Sequence, residues 1–142
     1  MFKRILVAIG GDDASMAPAL VAGRLAGELH AQATVVSVKR VTSETLGEPY
    51  YSDRQMQRTG ESQSVLAAAE QLMRTAGAAQ VDSEWIEGRP ADRIVELARD
   101  RGYDLLVVGS RGRGRMQSAL LGSVSAEVAA HSSVPVLIVP ES

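Results

Sequence analysis

The chain alternates short, unbroken apolar runs with longer segments in which apolar residues recur every three or four positions. A run of four to eight apolar or β-branched residues that ends at glycine, proline or acidic residues is typical of a strand covered on both faces. Five runs predict five strands, at residues 5–9, 33–38, 81–87, 105–108 and 136–139. The third alternates between apolar and polar positions and carries Trp85, for which we expect a packing role.

Helical periodicity fills the segments between these strands. The predicted helices span residues 15–30, 54–78, 91–101 and 123–131, and the polar residues 42–53 predict an exposed loop. Ser15 or Asp13 can cap the first helix, and Pro90 suits the first turn of the third. The periodic apolar residues are Met16, Leu20, Ala26 and Leu29 in the first helix, and Val65, Leu66, Ala69, Leu72 and Met73 in the second.

The alternation of strands and helices is typical of an α/β domain with a mostly parallel sheet and right-handed crossovers. Since 142 residues is the length of one ordinary domain, we expect residues 1–142 to form a single domain. In such open sheets ligands bind beyond the carboxyl ends of the strands, where the chain reverses its winding direction. The segments to inspect for function are therefore 10–13, 38–40 and the chain from Gly109 onward.

The composition excludes several kinds of site. Fifteen Lys and Arg against seventeen Asp and Glu give a net charge of −2, so no overall positive field attracts nucleic acid or an anionic membrane. The absence of cysteine excludes disulfides and thiolate chemistry. His30 and His131 each end a predicted helix, where a cation is favoured, and we expect neither to bind metal or act as a base. Without a long apolar segment we expect no membrane insertion and a cytoplasmic protein.

One segment after the fourth strand combines glycines, serines and arginines. Gly109, Gly112 and Gly122 have the spacing G-x2-G-x9-G-S, and the final serine opens the last predicted helix. Glycine allows close approach of the backbone to a ligand, and the N–H groups of a helix N-terminus favour an anion. Ser123 and Ser125 add hydroxyl donors there. No acidic residue occurs within 105–126, whereas three arginines do: Arg111, Arg113 and Arg115. The pattern indicates a phosphate site.

An alternative interpretation is that the glycines only build a long turn and the arginines are solvated, because short glycine motifs also occur by chance. The segment is not a Walker A loop, since no Gly-Lys-Ser/Thr follows. The turn after the first strand, residues 10–13, lacks the third glycine of a dinucleotide fingerprint. Asp12 and Asp13 either ligate Mg²⁺ on a bound triphosphate or serve the turn and the helix cap.

The whole chain resembles the universal stress protein family in its ATP-binding branch. The segments that carry the resemblance are KRILVA at 3–8, VVGSRGRG at 107–114, LLGSV at 120–124 and VPVLIV at 134–139, and the glycine spacing matches without a gap. The resemblance implies a doubly wound open sheet of five parallel strands in the order 3-2-1-4-5, flanked by helices, of the adenine nucleotide alpha-hydrolase-like type. It also implies ATP as the ligand, with or without Mg²⁺.

The resemblance implies a set of site residues. Gly109, Gly112, Gly122 and Ser123 would surround the phosphates and ribose, and Val38 would contact adenine. One departure concerns the end of the first strand, where the family usually has Asp that holds the nucleoside and this chain has Gly10. The full set expected at the nucleotide is Gly10, Gly11, Asp12, Val38, Gly109, Ser110, Arg111, Gly112, Arg113, Gly122, Ser123, Val124 and Ser125.

Two classes of function remain open. The chain is either a nucleotide-dependent stress-response or regulatory module that binds ATP and acts on an unknown protein partner, or a slow nucleotide hydrolase on the same fold. Residues 105–126 contain no carboxylate and no histidine to orient water, which favours the binding module. The apolar last strand, expected at a sheet edge, predicts a homodimer through that strand, and the resemblance implies the same.

Overall fold

The computed structural model describes residues 2–10, 16–39, 64–110 and 122–140 of the chain. The strands within these ranges are β1 (Arg4–Ile9), β2 (Gln32–Lys39), β3 (Gln80–Glu87), β4 (Leu105–Gly109) and β5 (Val136–Val139). They form one sheet in the order β3-β2-β1-β4-β5, and every neighbouring pair is parallel. The predicted five-stranded parallel sheet and its strand order are confirmed.

Helices cover both faces of the sheet. They are α1 (Ala17–Leu29), α2, which includes residues 64–76, α3 (Pro90–Asp100) and α4 (Ser123–His131). Two buried clusters divide the core: α1 and α2 pack on one face, and α3 and α4 pack on the other. Wherever the structure describes the predicted strands and helices, their bounds agree with the predictions to within two residues.

The buried face of α1 differs from the sequence prediction. Met16 occupies the N-cap position, and the predicted caps Ser15 and Asp13 lie outside the described residues. Pro18 lies in the first turn, where its missing N–H costs nothing and its fixed φ suits the helix. The buried face consists of small residues, whereas Leu29 is 42% exposed. The buried positions are Pro18, Ala19, Ala22, Gly23 and Ala26.

Small residues face the core because α1 lies very close to α2. A Cβ placed on Gly23 would lie 2.7 Å from the Cα of Met73, and one on Gly27 would lie 2.7 Å from the carbonyl oxygen of Gly77. Both neighbours are backbone atoms, so a side chain at either glycine forces the helices apart. The short distance between α1 and α2 therefore requires glycine at these two positions.

Candidate functional site

The carboxyl ends of β1 and β4 meet at the switch point of the sheet. From β1 the chain passes to α1 on one face and then to β2, whereas from β4 it passes to α4 on the other face and then to β5. The β1–β4 pairing ends at Val7 and Val107, so the last residues of the two strands are not paired with each other. A crevice at this position is where open α/β sheets bind ligands. The fold thus brings Gly10 and Gly109 to the same edge.

The glycine-rich segment begins and ends at hydrogen-bonded residues. Ser110, which follows β4, donates its N–H to the carbonyl of Val139 at 2.8 Å and accepts from the N–H of Gly122. Ser110 and Gly122 are both buried. The two residues that flank segment 111–121 are therefore in direct contact, and β4, β5 and the start of α4 are held together at one point.

Within the described residues, no side chain caps the N-terminus of α4. Gly122 is its N-cap residue and offers no side-chain cap, and no acidic residue occupies the first turn. The first N–H bonded within this turn is that of Ala126, which donates to Gly122 at 2.9 Å. The preceding N–H groups, on Ser123, Val124 and Ser125, have no intrahelical acceptor and carry the positive end of the helix dipole. Such a terminus suits a phosphate group.

The two serines of this turn differ in accessibility. The side chain of Ser123 is exposed at the helix end. Ser125 is only 2% exposed, and its Oγ donates to the carbonyls of Ser110, at 3.0 Å, and Gly122, at 3.1 Å. In the structure this hydroxyl is hydrogen-bonded inside the protein, and the expectation that Ser125 lies at the nucleotide stays a prediction.

The other side of the crevice is formed by the ends of β1 and β2. Gly10 is exposed, and its carbonyl accepts from the Oγ of Ser37 at 3.4 Å. Val38 is half-buried and packs against the α3–α4 cluster. The sequence reasoning did not identify Ser37, although a signal was present: it is a polar residue between Val36 and Val38, and the structure buries it fully.

The remaining predicted site residues are Gly11, Asp12, Arg111, Gly112 and Arg113, and they lie outside the described residues. The structure thus brings one part of the predicted set to a common edge of the sheet. That part consists of Gly10, Val38, Gly109, Ser110, Gly122, Ser123, Val124 and Ser125.

Features elsewhere in the molecule have structural explanations. A cavity of about 370 Å³ lies between α2 and β3, lined among others by Glu70, Arg74 and Trp85. Glu70 pairs with Arg74 at 3.1 Å and accepts from Ser83. Trp85 packs against the α1–α2 cluster, as predicted, and its indole N–H is buried with no acceptor among the residues that the structure describes. Over the described ranges, no three acidic or histidine side chains form a metal-binding group, and no helix could span a membrane.

Comparison with known sequences gives consistent matches. The model of the universal stress protein family matches residues 1–140. A universal stress protein of Thermus aquaticus, from the QAH/OAS sulfhydrylase 3' region, is 36% identical over 139 residues, which cover 98% of this chain and 99% of the relative. Universal stress protein YxiE of Bacillus subtilis is 34% identical over 148 residues, with the same coverage.

Solved structures share the fold along their whole length. A universal stress protein in complex with cAMP is 31% identical, with a TM-score of 0.78 and 99% coverage of both chains. The protein MJ0577 is 26% identical, with a TM-score of 0.83, and the alignment covers 100% of this chain and 98% of that one. UspA from Lactobacillus plantarum, at 22% identity and a TM-score of 0.85, supports the fold alone.

Proposed function

The chain belongs to the universal stress protein family, and from that membership we propose that it binds an adenine nucleotide in the crevice between the ends of β1 and β4. The observation that carries the proposal is the N-terminus of α4, with glycine at the N-cap, no side-chain cap and no acidic residue in its first turn. The cAMP complex of a relative 31% identical to this chain supports the same class of ligand.

The phosphates lie at the start of α4 in this proposal. The N–H groups of Ser123, Val124 and Ser125 and the exposed hydroxyl of Ser123 are the donors offered there. Arg111 and Arg113, which belong to the connecting segment, supply the positive charge. Backbone donors at a helix end and nearby guanidinium groups are the usual partners of phosphate oxygens in proteins.

The nucleoside lies toward β1 and β2. Val38, near the end of β2, offers an apolar contact to the adenine ring. Gly10 provides no carboxylate for the ribose, so the phosphate end carries the larger share of the affinity. Asp12 is the candidate for that missing carboxylate or for Mg²⁺ bound to the nucleotide, since carboxylates are the hard oxygen ligands this ion prefers.

The ligand we propose is ATP, and the protein acts as a nucleotide-dependent module in the cytoplasmic stress response, with a regulated protein as its partner. In this proposal the protein binds ATP and does not hydrolyse it at an enzyme's rate. The test is mass spectrometry of the purified protein after mild denaturation, followed by calorimetric titration with ATP, ADP, AMP and cAMP. We expect a co-purified adenine nucleotide. No nucleotide in the sample together with no binding heat at millimolar ligand would contradict the proposal.

We expect ATP hydrolysis to be far slower than the roughly 1 to 1,000 turnovers per second of typical enzymes. Phosphoryl transfer to water needs a group that orients the nucleophile, and residues 105–126 contain no carboxylate or histidine. The measurement is phosphate release at saturating ATP and Mg²⁺. The control is Gly122→Val, which is expected to lose the nucleotide. Turnover above about one per second that disappears in this variant would instead establish a nucleotide hydrolase.

We also propose a homodimer through β5. This strand pairs with β4 alone among the described strands, and Leu137 on it is 36% exposed. An apolar edge strand favours pairing with a second chain, so Leu137→Lys is expected to yield monomers. The matched control is Leu29→Lys, because Leu29 is an exposed leucine at the end of α1, on another part of the surface. Size-exclusion chromatography with light scattering gives the masses. If the Leu137→Lys protein is still a dimer, the interface does not involve β5.

A further inference from the structure

Ser125 is a polar side chain enclosed within the protein. Its Oγ has one proton, which reaches the carbonyl oxygens of Ser110 at 3.0 Å and Gly122 at 3.1 Å. The contact with Gly122 stays within the first turn of α4, and that carbonyl already accepts the N–H of Ala126. The contact with Ser110 connects α4 to the end of β4. The hydroxyl therefore links the end of β4 to α4, which are separated in the sequence by segment 111–121.

Ser110 is the residue on which these contacts converge. Its carbonyl accepts from Gly122 N–H and Ser125 Oγ, and its N–H donates to Val139 at the end of β5. Ser110 is 8% exposed and Val139 is 7% exposed, so water does not compete freely for these groups. Among the described residues, the relative position of Gly109 and Gly122 is thus fixed by backbone hydrogen bonds and by the side chain of Ser125.

We infer that Ser125 is a positioning residue of the nucleotide site: its hydroxyl holds the two ends of segment 111–121 together and does not itself touch the ligand. This inference rests on the proposed nucleotide site. Backbone N–H groups bind phosphate more tightly when the free protein already holds them in the bound arrangement. If the segment must become ordered on binding, the free energy of that ordering lowers the affinity. Alanine at this position would leave the Ser110 carbonyl with Gly122 N–H as its only remaining partner among those described here.

The variants that test this role are Ser125→Ala and a matched control, Ser132→Ala. Ser132 follows the last residue of α4, and its Oγ donates to the carbonyl of Val134 at 2.7 Å, so the control removes a comparable hydroxyl at the opposite end of the same helix. By calorimetric titration we expect Ser125→Ala to bind ATP about fivefold more weakly than the wild type, the size of one net hydrogen bond. Ser132→Ala is expected to bind as the wild type does. Equal affinities of wild type and Ser125→Ala, or equal losses in both variants, would overturn the inference.

Amide hydrogen exchange on the nucleotide-free protein tests the same contact without a ligand. The amide of Gly122, which donates to Ser110, is expected to exchange at least about fivefold faster in Ser125→Ala, with the amides of β1 unchanged. An unchanged rate at Gly122 refutes the positioning role. A wild-type protein that binds no adenine nucleotide refutes the proposed function instead, and the exchange rate at Gly122 then still decides whether Ser125 holds the segment.

Discussion

Gly122→Val is expected to weaken ATP binding by well over tenfold, more than about 1.4 kcal/mol, while the protein remains folded. Gly122 is buried at the N-cap of α4 with φ −74° and ψ 166°, an extended conformation that valine adopts readily. Its N–H bond to Ser110 does not depend on the side chain. The added methyl groups therefore act by occupying the space where we propose that the phosphates meet the helix end. Isothermal calorimetry gives the affinity, and circular dichroism verifies the fold.

The control for this variant is Ala126→Val, which adds two methyl groups to α4 at an exposed position in the next turn. We expect its affinity to stay within about twofold of the wild type, because that side chain leaves the helix end open. A folded Gly122→Val protein with unchanged affinity would mean that the phosphates bind elsewhere.

Gly23→Ala is expected to destabilise the protein by about 1–3 kcal/mol, although the same change in an exposed helix stabilises by up to about 1 kcal/mol. The sign reverses because the new Cβ would lie 2.7 Å from the Cα of Met73, and the backbone of α2 cannot yield without displacing the core. Gly27→Ala is expected to act in the same direction, against the carbonyl of Gly77. Urea denaturation followed by circular dichroism measures the free energy of unfolding.

Arg24→Ala provides the reference for that experiment. Arg24 is exposed on α1 between the two glycines, and its replacement is expected to change the free energy of unfolding by no more than about 0.5 kcal/mol. A Gly23→Ala protein as stable as the wild type would imply that α1 and α2 pack farther apart than this structure has them.

The family and the expectation of a phosphate site both followed from short sequence motifs. The spacing of Gly109, Gly112 and Gly122 matches the family pattern, and the family is shown by comparison over residues 1–140. The structure adds that Gly122 is the N-cap of α4, at the switch point of the sheet. The roles of Gly11, Asp12 and Arg111 stay predictions, because these residues lie outside the described ranges.

The positions of the strands and helices follow from local patterns in the amino-acid sequence. Apolar runs such as 105–108 commit the chain to buried strands, and Pro90 sets the start of a helix, because both effects act within a few residues. Alternating strands and helices then restrict the fold to a parallel sheet, since right-handed crossovers leave few arrangements.

Which face of a helix or strand is buried depends instead on packing between elements that are distant in sequence. The leucines of α1 gave the largest apolar signal, yet Leu29 is exposed and Gly23 is buried, because the partner of this face is the backbone of α2, distant in sequence. The sequence placed Ser125 among the expected ligand contacts, whereas in the structure its hydroxyl donates to the carbonyl of Ser110. Residue type fixes what a side chain can bond, whereas its direction depends on the long-range packing of elements, which no local pattern encodes.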